Sequence, residues 1–374
     1  MKRILAIALV LLMLTVPAQA LALSAPSALL MEKQTGNILY AESEHEPREP
    51  ASITKVMTLL LTMEAIDSGA LSYDTVVTGS AHAASMGGSQ IWLKEGEQMT
   101  VRDLLKAVCI VSGNDAAVAL GEQLAGSEEA FVERMNSRAQ ELGMNDTHFV
   151  NCTGLPADGH VTSAYDIALM ARELILHHGD IRQFTTVWMD SLRDGKSMLV
   201  NTNKLIRFYD GATGLKTGST DSAKSCLCAT AERDGMELIA VVLKAPTSDE
   251  RFEDAKALLN YGFANYALCT VTPDEALLPL SVTLGEKGTV QPVLTKENTL
   301  LLDKVRAGDL TQTLTLPEHV NAPVAEGEPL GELTLTDADG VTVATLPILA
   351  GESVAHVTWR QMMLRFLACA FCVE

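Results

Sequence analysis

Three short motifs occur in this chain in one fixed order: Ser52-Ile53-Thr54-Lys55, Ser112-Gly113-Asn114 and Lys216-Thr217-Gly218. They are spread over about 165 residues, so a chain that uses them together must bring distant segments to one place. Each motif alone has an ordinary reading. Ser52 can be a helix N-cap followed by an exposed lysine, Ser112-Gly113-Asn114 a turn before a helix, and Lys216-Thr217-Gly218 an edge strand with a solvated lysine. Taken together, in order, they have the parts that acyl transfer needs: a nucleophile, a base and an oxyanion site.

The chemistry follows from residue types and spacing. Ser52 stands after Pro50-Ala51 at the expected start of a helix, and Lys55 follows at i+3, on the same face. Lysine serves as a base once burial and a neighbouring cation such as Lys216 lower its pKa. The helix start leaves backbone N–H groups free, and the Ser52 amide can face a developing oxyanion. Ser112 and Asn114 can relay a proton and hold a substrate amide. Lys216 and Thr217 can hold a terminal carboxylate through charge-assisted hydrogen bonds, and Gly218 lets a substrate backbone approach the strand. A histidine-based alternative finds no support: His82, His148, His160, His177 and His178 lack a Gly-x-Ser-x-Gly partner.

Hydrophobic periodicity places these motifs. Ser27–Glu32 and 37–41 read as a hairpin around Gln34-Thr35-Gly36. A helix is expected from residue 53 to Gly69, helices from Thr100 to Leu142, and another from Asp166 to His177. Thr100 and Ser163 each precede an acidic residue at the capping-box spacing. Strands return after Thr213, with a hairpin turn at Asp234-Gly235, and a helix over 250–262 turns Phe252, Ala255, Leu258 and Leu259 inward. The expectation is an α+β fold: an antiparallel sheet flanked by helices, with both ends of the domain in one sheet. From about Thr270 short β-type runs recur, which predicts a small all-β domain. Residues 354–374 read as an amphipathic helix bearing Trp359, Met362, Met363, Phe366, Leu367 and Ala370 on one face, suited to a membrane interface. The resulting division is 1–22, 23–268, 269–352 and 353–374.

Residues 1–22 read as a secretory signal: Lys2 and Arg3, an apolar run, then small residues at 18, 20 and 22. The run is shorter than the ~20 residues a span needs. The chain is thus expected to be exported. The formal charge of −19, with no basic cluster beyond the N-terminus, argues against nucleic acid as a partner. Seven cysteines cannot all pair, and their spacing fits no zinc pattern, so they read as mostly buried free thiols.

The segments Ala51-Ser52-Ile53-Thr54-Lys55-Val56-Met57-Thr58, Ser112-Gly113-Asn114-Asp115-Ala116, Phe131-Val132-Glu133-Arg134-Met135-Asn136, Asn151-Cys152-Thr153-Gly154-Leu155 and Gly214-Leu215-Lys216-Thr217-Gly218 resemble the D-alanyl-D-alanine carboxypeptidases, the low-molecular-mass penicillin-binding proteins. The resemblance covers roughly residues 25–265, and 321–331 more loosely resemble that family's C-terminal β domain. It implies a DD-peptidase fold and removal of the terminal D-alanine from peptidoglycan stem pentapeptides through an acyl-enzyme, without metal or cofactor. It implies that Ser52 is the nucleophile, Lys55 its base, and Ser112 and Asn114 the proton and substrate network. Lys216 and Thr217 would bind the terminal carboxylate, with Arg251 assisting. The amides of Ser52 and Ser219 would form the oxyanion hole, and β-lactams would acylate Ser52. One departure is Lys224, which stands where the family often has glycine.

Three other readings share these motifs. A class A-like β-lactamase needs a deacylating glutamate, for which Glu173 is the candidate. A DD-endopeptidase would act on cross-links with the same machinery, and a non-catalytic muropeptide or β-lactam binder would use the scaffold alone.

Overall fold

The computed structural model of the chain describes residues 21–305 and 310–371, with the backbone alone for 368–371. The expected export signal therefore lies almost wholly outside the described residues, as do the side chains of Cys369 and Cys372.

A hairpin of β1 (Ser27–Glu32) and β2 (Ile38–Glu42) opens the fold. One 3-10 turn, Ala51–Thr54, leads into α1 (Lys55–Asp67). The ribbon of β3 (Val76–Thr78) and β4 (Gln98–Thr100) brackets α2 (Ala81–Ala84) and a long loop. Then come α3 (Val101–Val111), α4 (Asn114–Ala125), α5 (Glu128–Glu141), α6 (Ala164–His177) and α7 (Arg182–Thr185). A second ribbon, β5 (Met189–Leu192) and β6 (Ser197–Val200), precedes α8 (Leu205–Phe208). The strands β7 (Ala212–Thr220), β8 (Lys224–Arg233) and β9 (Met236–Ala245) follow, and α9 (Ser248–Asn265) closes the domain. Helix starts follow local chemistry: the side chains of Thr100, Ser127, Ser163 and Thr247 each accept a backbone N–H from three residues on.

The sheet order is β2-β1-β9-β8-β7, antiparallel throughout, with β1 at the start of the domain paired to β9 at its end. Alternation along each strand divides the core in two. Leu29, Met31, Cys226, Cys228, Ile239, Val241 and Leu243 face the layer of α1 and α3–α6. Leu30, Leu227, Ala229, Leu238, Ala240 and Val242 face α9, where Phe252, Ala255, Leu258 and Leu259 meet them. Cys226 and Cys228 thus share a face and are buried free thiols, as are Cys109 and Cys152.

Beyond α9 the chain is β-structured. Strand β10 (Tyr266–Thr270) pairs with β14 (Thr299–Asp303). Strands β11 (Leu280–Thr283), β12 (Thr289–Val290) and β16 (His319–Asn321) form one small sheet. Strands β13 (Pro292–Leu294), β15 (Thr311–Thr315), β17 (Pro329–Thr336) and β18 (Thr342–Ala350) form another. Two apolar clusters fill this region, one around Val282, Val290 and Val354, the other around Leu333, Leu335 and Ile348.

The last helix, α10 (Trp359–Phe371), starts five residues later than the periodicity predicts. Residues 354–357 are extended because their backbone groups pair with the β domain: Val354 bridges Val324, His356 bridges Gly285, and Val357 N–H donates to Leu284 O. Along α10 the side chains of Trp359, Met362, Met363, Leu364 and Phe366 are exposed. Arg365 holds the helix to the carbonyls of Gly285 and Glu286. Among the described residues no helix is long and apolar enough to cross a membrane.

Candidate active site

The three motifs meet where the start of α1, the α3–α4 junction and the edge strand β7 converge. Ser52 is the second residue of the 3-10 turn, and Lys55, the first residue of α1, is fully buried. Lys55 Nζ lies 2.9 Å from Ser52 Oγ and donates to Thr153 O at 2.7 Å. Burial pushes the Lys55 ammonium well below its ordinary pKa, and repulsion from Lys216 pushes in the same direction. The shift makes the proton easier to lose, and a deprotonated Lys55 would offer a lone pair to the Ser52 hydroxyl proton.

Two glycines allow the turn to be enclosed. A Cβ on Gly154 would lie 1.8 Å from Ala51 O, and one on Gly218 would lie 2.8 Å from Pro50 O and 3.0 Å from Ser52 N. No side chain fits at either point, so the backbone of residues 50–52 packs between the 154 loop and β7.

Ser112 ends α3 in the left-handed region, φ 63°, and Asn114 opens α4. Asn114 donates through Nδ2 to Gly87 O and through its backbone N–H to Ser89 O, both at 2.7 Å. Ser112 Oγ and Asn114 Oδ1 are buried without a protein partner among the described residues. Buried polar atoms are normally satisfied, so these two are open to a water or to a bound polar ligand. Next to them Asp115, 1% exposed, accepts the backbone N–H groups of Ile91, Leu93 and Ala116 and so holds the loop that carries Gly87 and Ser89.

On β7, Lys216 stands opposite Cys228 and Gly218 opposite Cys226, the two cysteines facing the layer of α1 and α3–α6. Burial lowers the Lys216 pKa to about 7; Cys109 opposes this and Arg251 adds to it. Thr217 Oγ1 is 2.7 Å from the hydroxyl of Thr202, a residue whose backbone N–H donates to Ile110 O at the end of α3. Ser219 is exposed at the strand edge. Arg251, from α9, donates through Nη1 to Gly218 O at 2.9 Å, while its Nε is buried without a partner. Burial lowers its pKa. Among the described residues it is a desolvated cation with no carboxylate within salt-bridge distance, directly behind the motif.

The structure thus brings together the elements that carry Ser52, Lys55, Ser112, Asn114, Lys216, Thr217, Gly218, Ser219 and Arg251. Sequence reasoning did not find Asp115, Thr202 or His160, whose place is described below. Thr202 follows the unanticipated β5–β6 ribbon, for which the Asp194-Gly195 turn was the available signal. Asp115 stands in the first turn of α4, where acids are common, so nothing local marks it out. Glu173, the candidate deacylating base of a β-lactamase, is tied instead to Arg138 at 2.7 Å, in a group with Glu64 and Glu141.

Known proteins share the sequence and the fold of this chain. A profile of the D-alanyl-D-alanine carboxypeptidase family matches residues 14–247, and one of the penicillin-binding protein 5 C-terminal domain matches residues 271–356. The D-alanyl-D-alanine carboxypeptidase DacF of Bacillus subtilis is 42% identical over 339 residues, covering 89% of this chain and 87% of the relative. DacD of Escherichia coli is 35% identical, with the same coverage of 89% and 87%. Among solved structures, penicillin-binding protein 5 from Haemophilus influenzae superposes with a TM-score of 0.80 at 28% identity, covering 89% of this chain and 98% of its own. Penicillin-binding protein D2 from Listeria monocytogenes, in its ampicillin-bound form, gives 0.60 at 35% identity over 65% of this chain and 99% of its own. A lysine-adjacent serine, a polar interhelical junction and a lysine-bearing edge strand, on a fold and a sequence shared with these proteins, place the chain in the D-alanyl-D-alanine carboxypeptidase family.

Proposed function

We propose that this chain removes the terminal D-alanine from peptidoglycan stem peptides through an acyl-enzyme on Ser52. The observation that carries the assignment of roles is the position of Lys55, fully buried, depressed in pKa and 2.9 Å from Ser52 Oγ. Neutral Lys55 takes the Ser52 proton as Oγ attacks the carbonyl of the D-Ala-D-Ala bond. The amides of Ser52 and Ser219 receive the oxyanion, and the proton passes to the leaving D-alanine nitrogen through Ser112. Asn114 Oδ1 accepts from a substrate amide. Thr217, Lys216 and the charge of Arg251 behind Gly218 receive the terminal carboxylate. Water then releases the shortened peptide. A β-lactam enters the same route and acylates Ser52.

The test is D-alanine release from a lysyl-D-alanyl-D-alanine peptide by wild type and Ser52→Ala. Release by wild type alone, with loss of covalent penicillin labelling and an unchanged melting temperature in the variant, is the expected result. Release by Ser52→Ala near the wild-type rate would overturn the nucleophile. Fast penicillin turnover would favour the β-lactamase reading, and peptide binding without turnover the binder.

Residues 1–22 supply export, so that the active site works on the outer side of the cytoplasmic membrane. The division into a catalytic domain over 23–268, a β domain over 269–352 and a C-terminal segment over 353–374 goes with this reading. In the C-terminal segment, α10 lays Trp359, Met362, Met363, Phe366 and Leu367 on the membrane surface. The support is their exposure in a helix with an apolar face, which water disfavours.

A further inference from the structure

We infer that His160, which lies outside all three motifs, positions the oxyanion site by orienting the Ala51–Ser52 peptide through Thr54. The inference rests on the proposed role of the Ser52 amide as an oxyanion donor. His160 is 3% exposed and Thr54 is fully buried. His160 Nδ1 accepts the backbone N–H of Val150 at 3.0 Å, and Nε2 lies 2.8 Å from Thr54 Oγ1. Thr54 Oγ1 in turn lies 2.9 Å from Ala51 O.

The proton order in this chain is forced. A carbonyl oxygen cannot donate, so the single Thr54 proton goes to Ala51 O. Thr54 must then accept from His160, which places the imidazole proton on Nε2. That leaves Nδ1 bare, as the Val150 N–H requires. Burial holds the ring in this neutral form by lowering its pKa to about 4.

The end of the relay matters because of what the Ala51 carbonyl belongs to. In a trans peptide the C=O and the following N–H point in opposite directions. Fixing Ala51 O on the His160 side therefore aims the Ser52 N–H the other way, to the side where Gly218 of β7 lies against Ser52 N. The need for such a hold is visible in the backbone: Ala51 sits at φ 48°, a left-handed conformation that a non-glycine residue keeps only when its surroundings enforce it. Gly154 closes on the same carbonyl from the loop. The relay thus joins the turn of the nucleophile to His160, 106 residues from Thr54, and it acts on one of the two peptide groups proposed to receive the oxyanion.

The test uses Thr54→Val, which keeps the volume and removes the hydroxyl, Thr54→Ser, which keeps the hydroxyl, and His160→Gln, whose amide nitrogen can still donate to Thr54. Each is assayed with a D-Ala-D-Ala peptide and with its thiono analogue, in which the scissile C=O is C=S, a poorer hydrogen-bond acceptor. Removing one oxyanion donor outright lowers kcat by ~10²–10³, so a mis-aimed donor is expected to lower it by ~10–100-fold. Thr54→Val should show this fall with KM within about twofold, because an oxyanion interaction exists only in the transition state. Its oxo-to-thiono rate ratio should shrink relative to wild type, while Thr54→Ser and His160→Gln stay near wild type. Active sites counted by penicillin labelling normalise the rates, so partial misfolding does not enter. A Thr54→Val enzyme with the wild-type oxo-to-thiono ratio would overturn the relay while leaving the oxyanion role of Ser52 intact. A wild type that turns over both peptides equally would overturn that role itself, and the inference with it.

Discussion

At the scale of single residues, the site works by placing ionisable groups where water does not reach them. Lys55 and Lys216 are both buried, burial lowers the pKa of each, and Lys216 adds to the shift of Lys55. His160 belongs to the same class. Its pKa of about 4 in the fold compares with 6.5 for an unburied histidine. Because the folded value is the lower one, its contribution to stability is complete above pH 6.5 and is lost as pH falls towards 4. At ~1.4 kcal/mol per unit, the loss is about 3 kcal/mol. Urea unfolding at pH 7 and pH 4.5 should therefore show a smaller pH-dependent loss for His160→Asn than for wild type. Equal losses would mean that His160 is not buried neutral. A second prediction concerns Lys224, which stands where family resemblance would put glycine. It is exposed at φ 56°, in the tight β7–β8 turn. Glycine removes the left-handed strain there, so Lys224→Gly should stabilise by roughly 0.5–1 kcal/mol, and an unchanged or lowered midpoint in denaturant would count against it.

At the scale of elements, the second motif is more than a loop between helices. Asp115 ties the start of α4 to the segment that carries Gly87 and Ser89, which Asn114 also grips. One carboxylate with three backbone donors fixes both the loop and the asparagine. Asp115→Asn keeps the size but replaces one acceptor oxygen with an NH2 that faces N–H groups. A loss of about 2 kcal/mol is expected from the disrupted buried bonds, with slower penicillin acylation as the loop shifts Asn114. Acylation at the wild-type rate in a destabilised variant would confine Asp115 to stability. Pairing between elements also explains where α10 begins. The periodicity from Val354 onward is helical, but pairing with residues 284–286 and 324 captures the first four residues.

For the whole molecule, the consequence of that boundary is a clean experiment on the membrane proposal. Removing residues 358–374 takes away α10 and leaves the paired segment 354–357 in the β domain. The truncated protein should keep its D-alanine release and its melting temperature while moving from the membrane fraction to the soluble one, provided the export signal has been cleaved. Retention in the membrane fraction would refute the anchoring role of α10. The domain arrangement fits such an anchor, since the chain runs from the catalytic sheet through α9 and β10 into the β domain, and only then to α10.

The amino-acid sequence by itself determined the elements and the parts list. Apolar runs in β1, β8 and β9, cap residues such as Thr100 and Ser163, and the turn at Asp234-Gly235 are local, because each depends on residues a few positions apart. The three motifs were equally legible, since their residue types carry their chemistry. Tertiary structure decided what acts on those motifs. Thr153 reaches Lys55 across 98 residues and His160 reaches Thr54 across 106, and Thr202 meets Thr217 after a ribbon with no strong pattern that packs on α3. Lysine pKa values, peptide orientation and the filling of the space around Ala51 depend on which atoms exclude water and which backbones touch. Those are properties of packing, to which an amphipathic pattern contributes a face but not a partner.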